Sequence, residues 1–169
     1  QRLDLREEII FTIDSADTKD IDDAISLRRT DAGYELGVHI ADVSYYVTDQ
    51  SPIDVDAYDR GTSVYYASSV IPMLPKELSN GICSLNEGED RLAFSAIMQL
   101  SEQGELQSYR FEKTLIRSAI KGVYKEINAI FDGSADRKIL DKYQRVIPTL
   151  TLMRELFDKL VKNEAARGG

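Results

Sequence analysis

Cysteine, histidine and long apolar runs are scarce in this 169-residue sequence, and each scarcity excludes a class of protein. The single cysteine, Cys83, rules out an internal disulfide framework and favours a reducing compartment, so we expect a cytoplasmic protein. No apolar run approaches the ~20 residues that a membrane-spanning helix needs, so no membrane partner is expected. The single histidine, His39, has no serine or cysteine nucleophile motif near it, which argues against histidine-based catalysis.

Basic side chains are outnumbered by acidic ones, 21 to 29, which gives a formal net charge of −8. The imbalance is uneven, because residues 1–100 hold 19 acidic and 8 basic side chains whereas residues 101–169 hold 10 and 13. An acidic chain binds phosphate backbones poorly through bulk charge. A role in nucleic-acid binding would therefore require local sites, metal ions or basic parts outside this sequence.

The hydrophobic pattern predicts an α+β fold, with a mixed, largely antiparallel sheet first and a helical C-terminal third. No repeat or linker interrupts the sequence, so one unit over residues 1–169 is expected. Alternation of apolar residues and turn signals place five strands, the last two as a hairpin around SEQGE. The predicted strands are Ile9–Ile13, Ala24–Arg28, Tyr34–Ile40, Leu92–Leu100 and Leu106–Arg117.

Helices are predicted at Asp54–Tyr66, after a Ser51–Pro52 start, and between Gly122 and Gly133. In the last third, apolar residues recur at alternating spacings of four and three, a helical period that favours core packing. Pro148 interrupts this stripe, so either a kink or the start of a new helix is expected there. The stripe consists of Ile139, Tyr143, Val146, Leu150, Met153, Phe157 and Leu160.

The segment Phe11–Leu27, FTIDSADTKDIDDAISL, concentrates negative charge between two apolar runs. Five carboxylates this close repel one another, and some would keep their protons at neutral pH without compensation. A divalent cation such as Mg²⁺ relieves the repulsion, because it prefers carboxylate oxygens and completes its shell with water and substrate phosphate. The five acids are Asp14, Asp17, Asp20, Asp22 and Asp23.

Two other interpretations of the acidic segment remain open. A solvated loop accounts for the charge but not for Ile21 and the apolar flanks, which indicate a loop tied to the core. Asp20-x-Asp22 also begins an EF-hand calcium loop, but Ile25 stands where glycine is needed and Asp31 where glutamate is needed. Strands rather than helices are also predicted on both sides. A calcium-binding structural module is thus a weaker alternative.

Four segments resemble, in order and spacing, the RNB catalytic domain of the ribonuclease II / ribonuclease R family. They are TIDSADTKDIDDA, GVHIADVSYYV, RGTSVYYASSVIPMLPKELSNGICSLN and EDRLAFS. The resemblance covers roughly residues 1–130, and the helical remainder is compatible with it but less diagnostic. HIADVS, RGTSVY and LSNGICSLN are more similar to ribonuclease R than to ribonuclease II.

The resemblance implies a processive 3′-to-5′ exoribonuclease that hydrolyses RNA to nucleoside 5′-monophosphates. Its substrates would be single-stranded RNA or RNA 3′ overhangs. Two Mg²⁺ ions, with Mn²⁺ as an alternative, would lie about 3.5–4 Å apart and act on the attacking and leaving oxygens. The family's aspartates correspond to Asp14, Asp20, Asp22 and Asp23, whereas Asp17 falls at a variable position and is expected to be solvated.

Individual roles also follow from the resemblance. Asp14 and Asp23 would be metal ligands supported by Asp20, and Asp22 would matter most for the chemical step, through a second metal or the attacking water. All four are therefore predicted metal-site residues, with Asp22 and Asp20 catalytic. Tyr65 corresponds to an aromatic residue that stacks near the 3′-terminal nucleotide, a contact worth about 1–3 kcal/mol.

Other polar residues are assigned structural roles. Asp42, just past a strand, is expected to be a helix cap or a hydrogen-bond partner. Cys83 is expected to be a small buried residue. Arg60 and Arg91 are expected to form structural salt bridges.

The chain begins with Gln and stops where the family continues, so we expect a truncated RNB domain. The family's later half supplies an arginine, a further acid and a second aromatic residue that cannot be placed here. The cold-shock and S1 modules of the parent protein are also expected outside this sequence. The chain alone is therefore expected to be weakly active or inactive. The alternative is a non-catalytic RNA-binding or scaffold relative, although a scaffold gains nothing from four mutually repelling aspartates.

Overall fold

Strands form the first two thirds of the fold and helices the last, in a computed structural model that describes residues 1–66 and 69–166. The strands are β1 Leu3–Asp4, β2 Ile10–Asp14, β3 Asp23–Thr30, β4 Gly33–Ala41, β5 Val64–Tyr65, β6 Val70–Ile71, β7 Asp90–Ser101 and β8 Leu106–Val123. The α-helices are α1 Pro52–Arg60, α2 Tyr124–Asp132, α3 Arg137–Tyr143 and α4 Ile147–Ala166. A 3₁₀ turn spans Val43–Tyr45 and a π-helical turn spans Glu77–Ile82.

The main sheet closes on itself. Its strand order is β1-β8-β2-β3-β4-β7, and β7 also pairs with β8, so β8, β2, β3, β4 and β7 form a five-stranded barrel. Only the pairings of β8 with β1 and β2 are parallel; the other pairings of this sheet are antiparallel. Closure leaves few unpaired strand edges, which are otherwise sites of unwanted pairing.

Two faces of β2 supply two separate cores. Ile10 belongs to a cluster with Ile21, Leu85 and Ile116, whereas Phe11 packs against residues of the helices, including Leu150. Since successive side chains of a strand point to opposite faces, the first cluster fills the barrel and the second joins the barrel to the helices. A third cluster lies where α4 meets β3 and β4; it consists of Leu27, Tyr34, Leu100 and Leu156.

The α+β class and the mixed, largely antiparallel sheet are confirmed, and each predicted strand is present. The helix predicted over Asp54–Tyr66 is wrong beyond Arg60. Gly61 adopts φ 69°, a left-handed conformation that ends the helix as a C-cap, and β5 follows. Tyr65 therefore lies on a short strand rather than on a helix.

The helical stripe is confirmed in part. Pro148 is the second residue of α4, where its missing N–H costs no hydrogen bond, so a new helix starts there. Phe157 was predicted in the core but is 62% exposed, while Leu156 is buried. One residue along a helix corresponds to a rotation of about 100°, which turns Phe157 away from the sheet. Within the described ranges, no helix is long and apolar enough to cross a membrane.

Candidate active site

The acidic loop, residues 14–23, joins two neighbouring strands at one rim of the barrel. Asp14 is the last residue of β2 and pairs with Val123 of β8. Asp23 is the first residue of β3 and pairs with Ile40 of β4. Because β2 and β3 are antiparallel, the end of one and the start of the other lie at the same rim, so the barrel fixes both ends of the loop.

Ile21 anchors the middle of the loop. Its side chain is buried in the barrel core, and its carbonyl accepts a 2.9 Å hydrogen bond from the N–H of Leu85. The carbonyl of Asp22 accepts a bond from Ala41 at 2.8 Å, which continues the barrel ladder into the loop. Burial of one apolar residue thus fixes the backbone between Asp20 and Asp22.

Ser84 holds the peptide groups on both sides of Asp20. Its fully buried hydroxyl donates to the carbonyl of Lys19 at 2.7 Å and accepts from the N–H of Ile21 at 3.0 Å. A buried hydroxyl that satisfies two backbone groups is costly to remove, because both groups would be left without partners. The position of Asp20 therefore depends on a residue more than 60 positions away in the sequence.

Lys121, on β8, fastens the other half of the loop. Its ammonium donates to the carbonyls of Ala16 and Thr18 at 3.0 and 2.5 Å. Its positive charge also acts against the rise in the pKa of Asp14. Together with Ser84, it makes the acidic loop a braced segment rather than a free surface loop.

Electrostatic crowding is visible in two carboxylates. Burial raises the pKa of Asp14, and the negative charges of Asp23, Asp22 and Asp20 raise it further. Burial also raises the pKa of Asp22, with additional repulsion from Asp20 and Asp23. Oδ2 of Asp14 is buried and has no hydrogen-bond partner among the described residues. A buried carboxylate oxygen without a donor is unfavourable unless a cation or a proton satisfies it.

The donor set fits a hard divalent cation, although the side chains do not form a closed cage. Within residues 1–66 and 69–166, no group of three or more His, Cys, Asp or Glu side chains is arranged to hold a metal ion as it stands. Mg²⁺ usually takes only one or two carboxylates and fills its shell with water and substrate phosphate, so a partial protein shell suits it. The strands on both sides of the loop do not match the helix–loop–helix frame of an EF-hand.

Tyr65 lies beside the acidic loop. The sequence pattern alone did not predict this proximity. The residue is 65% exposed, and its hydroxyl donates to Oδ2 of Asp20 at 2.8 Å. This bond to a carboxylate raises the pKa of Tyr65. An exposed aromatic ring tethered to the acidic loop is available for stacking, but its predicted contact with RNA stays a prediction, as do the roles of the four aspartates.

Other candidate residues prove structural. His39 is buried and bonded to Ser26 and Ser95, and burial lowers its pKa to about 4. Asp42 pairs with Arg2 at 2.5 Å rather than capping a helix. Three structural predictions are confirmed by burial or ion pairs: Cys83 is buried, Arg60 pairs with Asp56, and Arg91 pairs with Glu89.

The sequence reasoning missed Ser84 and Lys121. Ser84 stands in the ICSLN motif, but nothing in the pattern indicates that its hydroxyl reaches Lys19 and Ile21. Lys121 is one of 21 basic residues, and only its place on β8 beside β2 reveals its function.

A family model for the RNB domain matches residues 2–169. The chain belongs to the RNB domain family. Ribonuclease R 1 of Lactococcus lactis is 46% identical over 168 residues, and Ribonuclease R of Thermotoga maritima is 42% identical over 166 residues. These alignments cover 99% and 98% of this chain but only 20% and 23% of those proteins. The chain therefore spans about a fifth of the length of the curated relatives it matches. The resemblance to ribonuclease R that was inferred from the motifs is confirmed.

Solved structures agree with this assignment. Mycoplasma genitalium RNase R in complex with double-stranded RNA matches with a TM-score of 0.89 and 30% identity, over 99% of this chain and 29% of that chain. Yeast Ssd1, described as a pseudonuclease, matches with a TM-score of 0.71 and 20% identity, over 86% of this chain and 18% of that chain. The second likeness shows the fold alone, so an RNB fold does not by itself decide between an active nuclease and an inactive relative.

Proposed function

We propose that this chain is the N-terminal part of the RNB catalytic domain of a cytoplasmic, divalent-metal-dependent exoribonuclease. The enzyme would act processively from the 3′ end of single-stranded RNA or of RNA 3′ overhangs and release nucleoside 5′-monophosphates. The observation that carries the proposal is the buried Oδ2 of Asp14, which has no hydrogen-bond partner among the described residues and whose carboxyl group is repelled by neighbouring aspartates. A fold maintained for structural reasons alone would have no use for this unfavourable arrangement.

Each aspartate has a distinct role in the proposal. Asp14 and Asp23, fixed at the ends of β2 and β3, would hold a Mg²⁺ or Mn²⁺ ion, with Asp20 in support. Asp22 would orient the attacking water, in a two-ion site in the intact enzyme. Bound dications supply Lewis acidity toward the scissile phosphate and lower the pKa of a bound water. They also explain how an acidic loop can hold a polyanion.

Tyr65 would position the RNA end. Its hydroxyl is held by Asp20, so its ring is oriented relative to the proposed metal site. Stacking on a base tolerates any sequence, which suits an enzyme that moves along RNA one nucleotide at a time. The chain alone would be weakly active or inactive, because the later half of the RNB domain and the cold-shock and S1 modules would complete the RNA channel.

The proposed function is tested in the full-length enzyme with Asp22→Asn. This isosteric change removes the carboxylate charge, and we expect RNA cleavage in Mg²⁺ to fall at least about 100-fold. Binding of labelled single-stranded RNA should be nearly unchanged. Asp17→Asn is the matched control, because Asp17 lies in the same loop, is exposed and falls at the variable position.

The alternative is a non-catalytic RNA-binding or scaffold relative with the same fold. It predicts no cleavage by the parent enzyme and no difference between the two variants. Equal cleavage by Asp22→Asn and the parent would instead contradict the role of Asp22. For the chain alone, processive shortening of RNA at enzyme-like rates would refute the proposed dependence on the later half of the domain.

A further inference from the structure

An open cleft of about 610 Å³ lies beside the acidic loop, on its Asp20 side. Its volume falls within the ~300–1,000 Å³ range of small-molecule sites. The acidic loop lines part of it, and the segment around β6 together with the turn that follows it lines another part. The lining residues are Ala16, Asp17, Thr18, Lys19, Asp20, Tyr66, Ser69, Val70, Pro72, Lys76, Asn80 and Lys121.

The charges of this cleft differ from those of the surrounding chain. Three lysines and two aspartates line it, in a protein region whose net charge is strongly negative. The ammonium groups of Lys19 and Lys76 form no hydrogen bond or ion pair with the residues that the structure describes. Lys121 uses two of its three N–H donors on the loop carbonyls and keeps one. These lysines therefore offer unused donors to an anion.

An aromatic ring and an amide complete the lining. Tyr66 is 62% exposed, and its backbone N–H donates to the carbonyl of Ser69 at 2.8 Å, which fixes the backbone that carries the ring. The half-buried side chain of Asn80 carries both a donor and an acceptor. An anion-binding wall together with a flat ring and an amide matches the parts of a mononucleotide: phosphate, base and sugar hydroxyls.

We propose that this cleft binds a nucleoside 5′-monophosphate, with Lys19 and Lys76 contacting the phosphate and Tyr66 stacking on the base. The identity of the ligand rests on the proposed function, because hydrolysis at the acidic loop would release this class of molecule beside Asp20. Asp17 and Asp20 line the same cleft and repel a phosphate, so the phosphate would lie toward the lysines. The site differs from the predicted 3′-end contact, which involves Tyr65.

Binding is tested in the full-length enzyme with excess EDTA, so that no dication contributes. Calorimetric titration with adenosine 5′-monophosphate, adenosine and inorganic phosphate separates the contributions of base and anion. We expect the monophosphate to bind about tenfold more tightly than adenosine, the ratio that one charge-assisted contact provides. The double variant Lys19→Ala/Lys76→Ala should bind the monophosphate no more tightly than it binds adenosine. Lys138→Ala, an exposed lysine on α3, is the matched control and should change affinity less than about twofold.

Tyr66→Ala tests the stacking half of the site. It should weaken binding of the monophosphate about fivefold and leave inorganic phosphate unchanged, since phosphate has no base to stack. Equal affinity for the monophosphate in the parent and the double lysine variant would overturn the proposal. RNA hydrolysis without monophosphate binding would also overturn it while leaving the proposed function intact. Monophosphate binding that depends on the lysines, without RNA hydrolysis, would support the cleft and reject the nuclease.

Discussion

Charged side chains gather at both ends of strand β3, and the two groups are arranged in opposite ways. At its start, Asp22 and Asp23 stand among acids that raise the pKa of Asp14. At its other end, Arg29 pairs with Glu155 and Glu102, and Lys159 pairs with both of these acids. The acidic group consists mainly of like charges and includes a buried oxygen without a hydrogen-bond partner among the described residues. The group at the other end is an alternating network of positive and negative charges.

The difference indicates which group is complete without a ligand. In the alternating network, Glu155 accepts hydrogen bonds from Tyr34, Arg29 and Lys159, and these lower its pKa to about 2. In the acidic loop, burial and repulsion raise the pKa of Asp14 and of Asp22, so the folded chain disfavours the charged form of these two groups. The proposed site and the ion-pair network therefore lie at opposite ends of the same strand, and four experiments can separate their contributions.

The largest expected effect concerns His39, which lies on β4 opposite Ala24, near the acidic end of β3. Its folded pKa is about 4 against an ordinary value of 6.5, so the unfolded state binds its proton first as the pH falls. Stability from neutral His39 is complete above about pH 6.5 and is lost as the pH falls toward about 4. The loss reaches about 3 kcal/mol once the pH is below about 4, where the folded and the unfolded states both bind the proton.

Urea titrations at a series of pH values from 7.5 to 4 would measure this loss. His39→Gln can still hydrogen-bond to Ser26 and Ser95 but does not titrate, so its free energy of unfolding should decline less steeply. Parallel declines in the parent and the variant would show that acid sensitivity comes from the charged groups at the ends of β3 instead.

Ser84→Ala removes the hydrogen bonds that hold the backbone of the acidic loop but leaves all of the loop's charges unchanged. Two backbone groups, the carbonyl of Lys19 and the N–H of Ile21, lose their buried partner, at a cost of about 2 kcal/mol in the free energy of unfolding. RNA cleavage by the intact enzyme should fall further than stability explains, because Asp20 is no longer held. Ser108→Ala, at an exposed position on β8, is the control and should leave both measurements unchanged. Normal cleavage by folded Ser84→Ala would show that the brace is dispensable.

The acidic loop also marks the limit of what the sequence could predict. The sequence predicts the cluster of aspartates, the strands on both sides of it and the family of the chain. These predictions are possible because period-two alternation and motif order are properties of neighbouring residues. The brace does not follow from such patterns, because Ser84 and Lys121 reach the loop from at least 63 and 103 positions away, respectively. Barrel closure by the parallel pairing of β2 with β8 is non-local in the same sense, because the paired residues lie more than 100 positions apart.

Tyr65 illustrates a different limit. Its position in the motif suggested an aromatic contact, but helical patterning extended α1 through it. A single glycine, Gly61, decided otherwise by taking φ 69°. Propensity summed over a window does not weigh one capping residue heavily, although that residue ends the helix and sets the direction of the chain toward Asp20.

Asp14→Asn tests whether the acidic loop lowers the stability of the metal-free fold and gains stability when an ion binds. Without metal, the free energy of unfolding of the variant should exceed that of the parent by less than about 1 kcal/mol. The difference is small because solvent screens the charges of a half-buried loop. Added Mg²⁺ should raise the thermal midpoint of the parent but not that of the variant, because ligands stabilise the state that binds them. Asp17→Asn should behave like the parent in both conditions. A variant that is less stable than the parent in EDTA would indicate that Asp14 is structural.

Glu155→Gln is the corresponding change in the alternating network at the other end of β3. It has the smallest expected effect on stability. The change removes a charge that Arg29 and Lys159 stabilise, so the thermal midpoint should fall, the reverse of the result for Asp14→Asn. Because these groups are partly exposed, the fall should shrink in about 1 M NaCl. It should also vanish at low pH: the carboxylate's contribution is complete above its unfolded pKa of about 4.3 and is lost as the pH falls toward about 2. Asp158→Asn, an exposed acid on the same helix, is the control, and an equal response of the two variants would remove the distinction between the ends of β3.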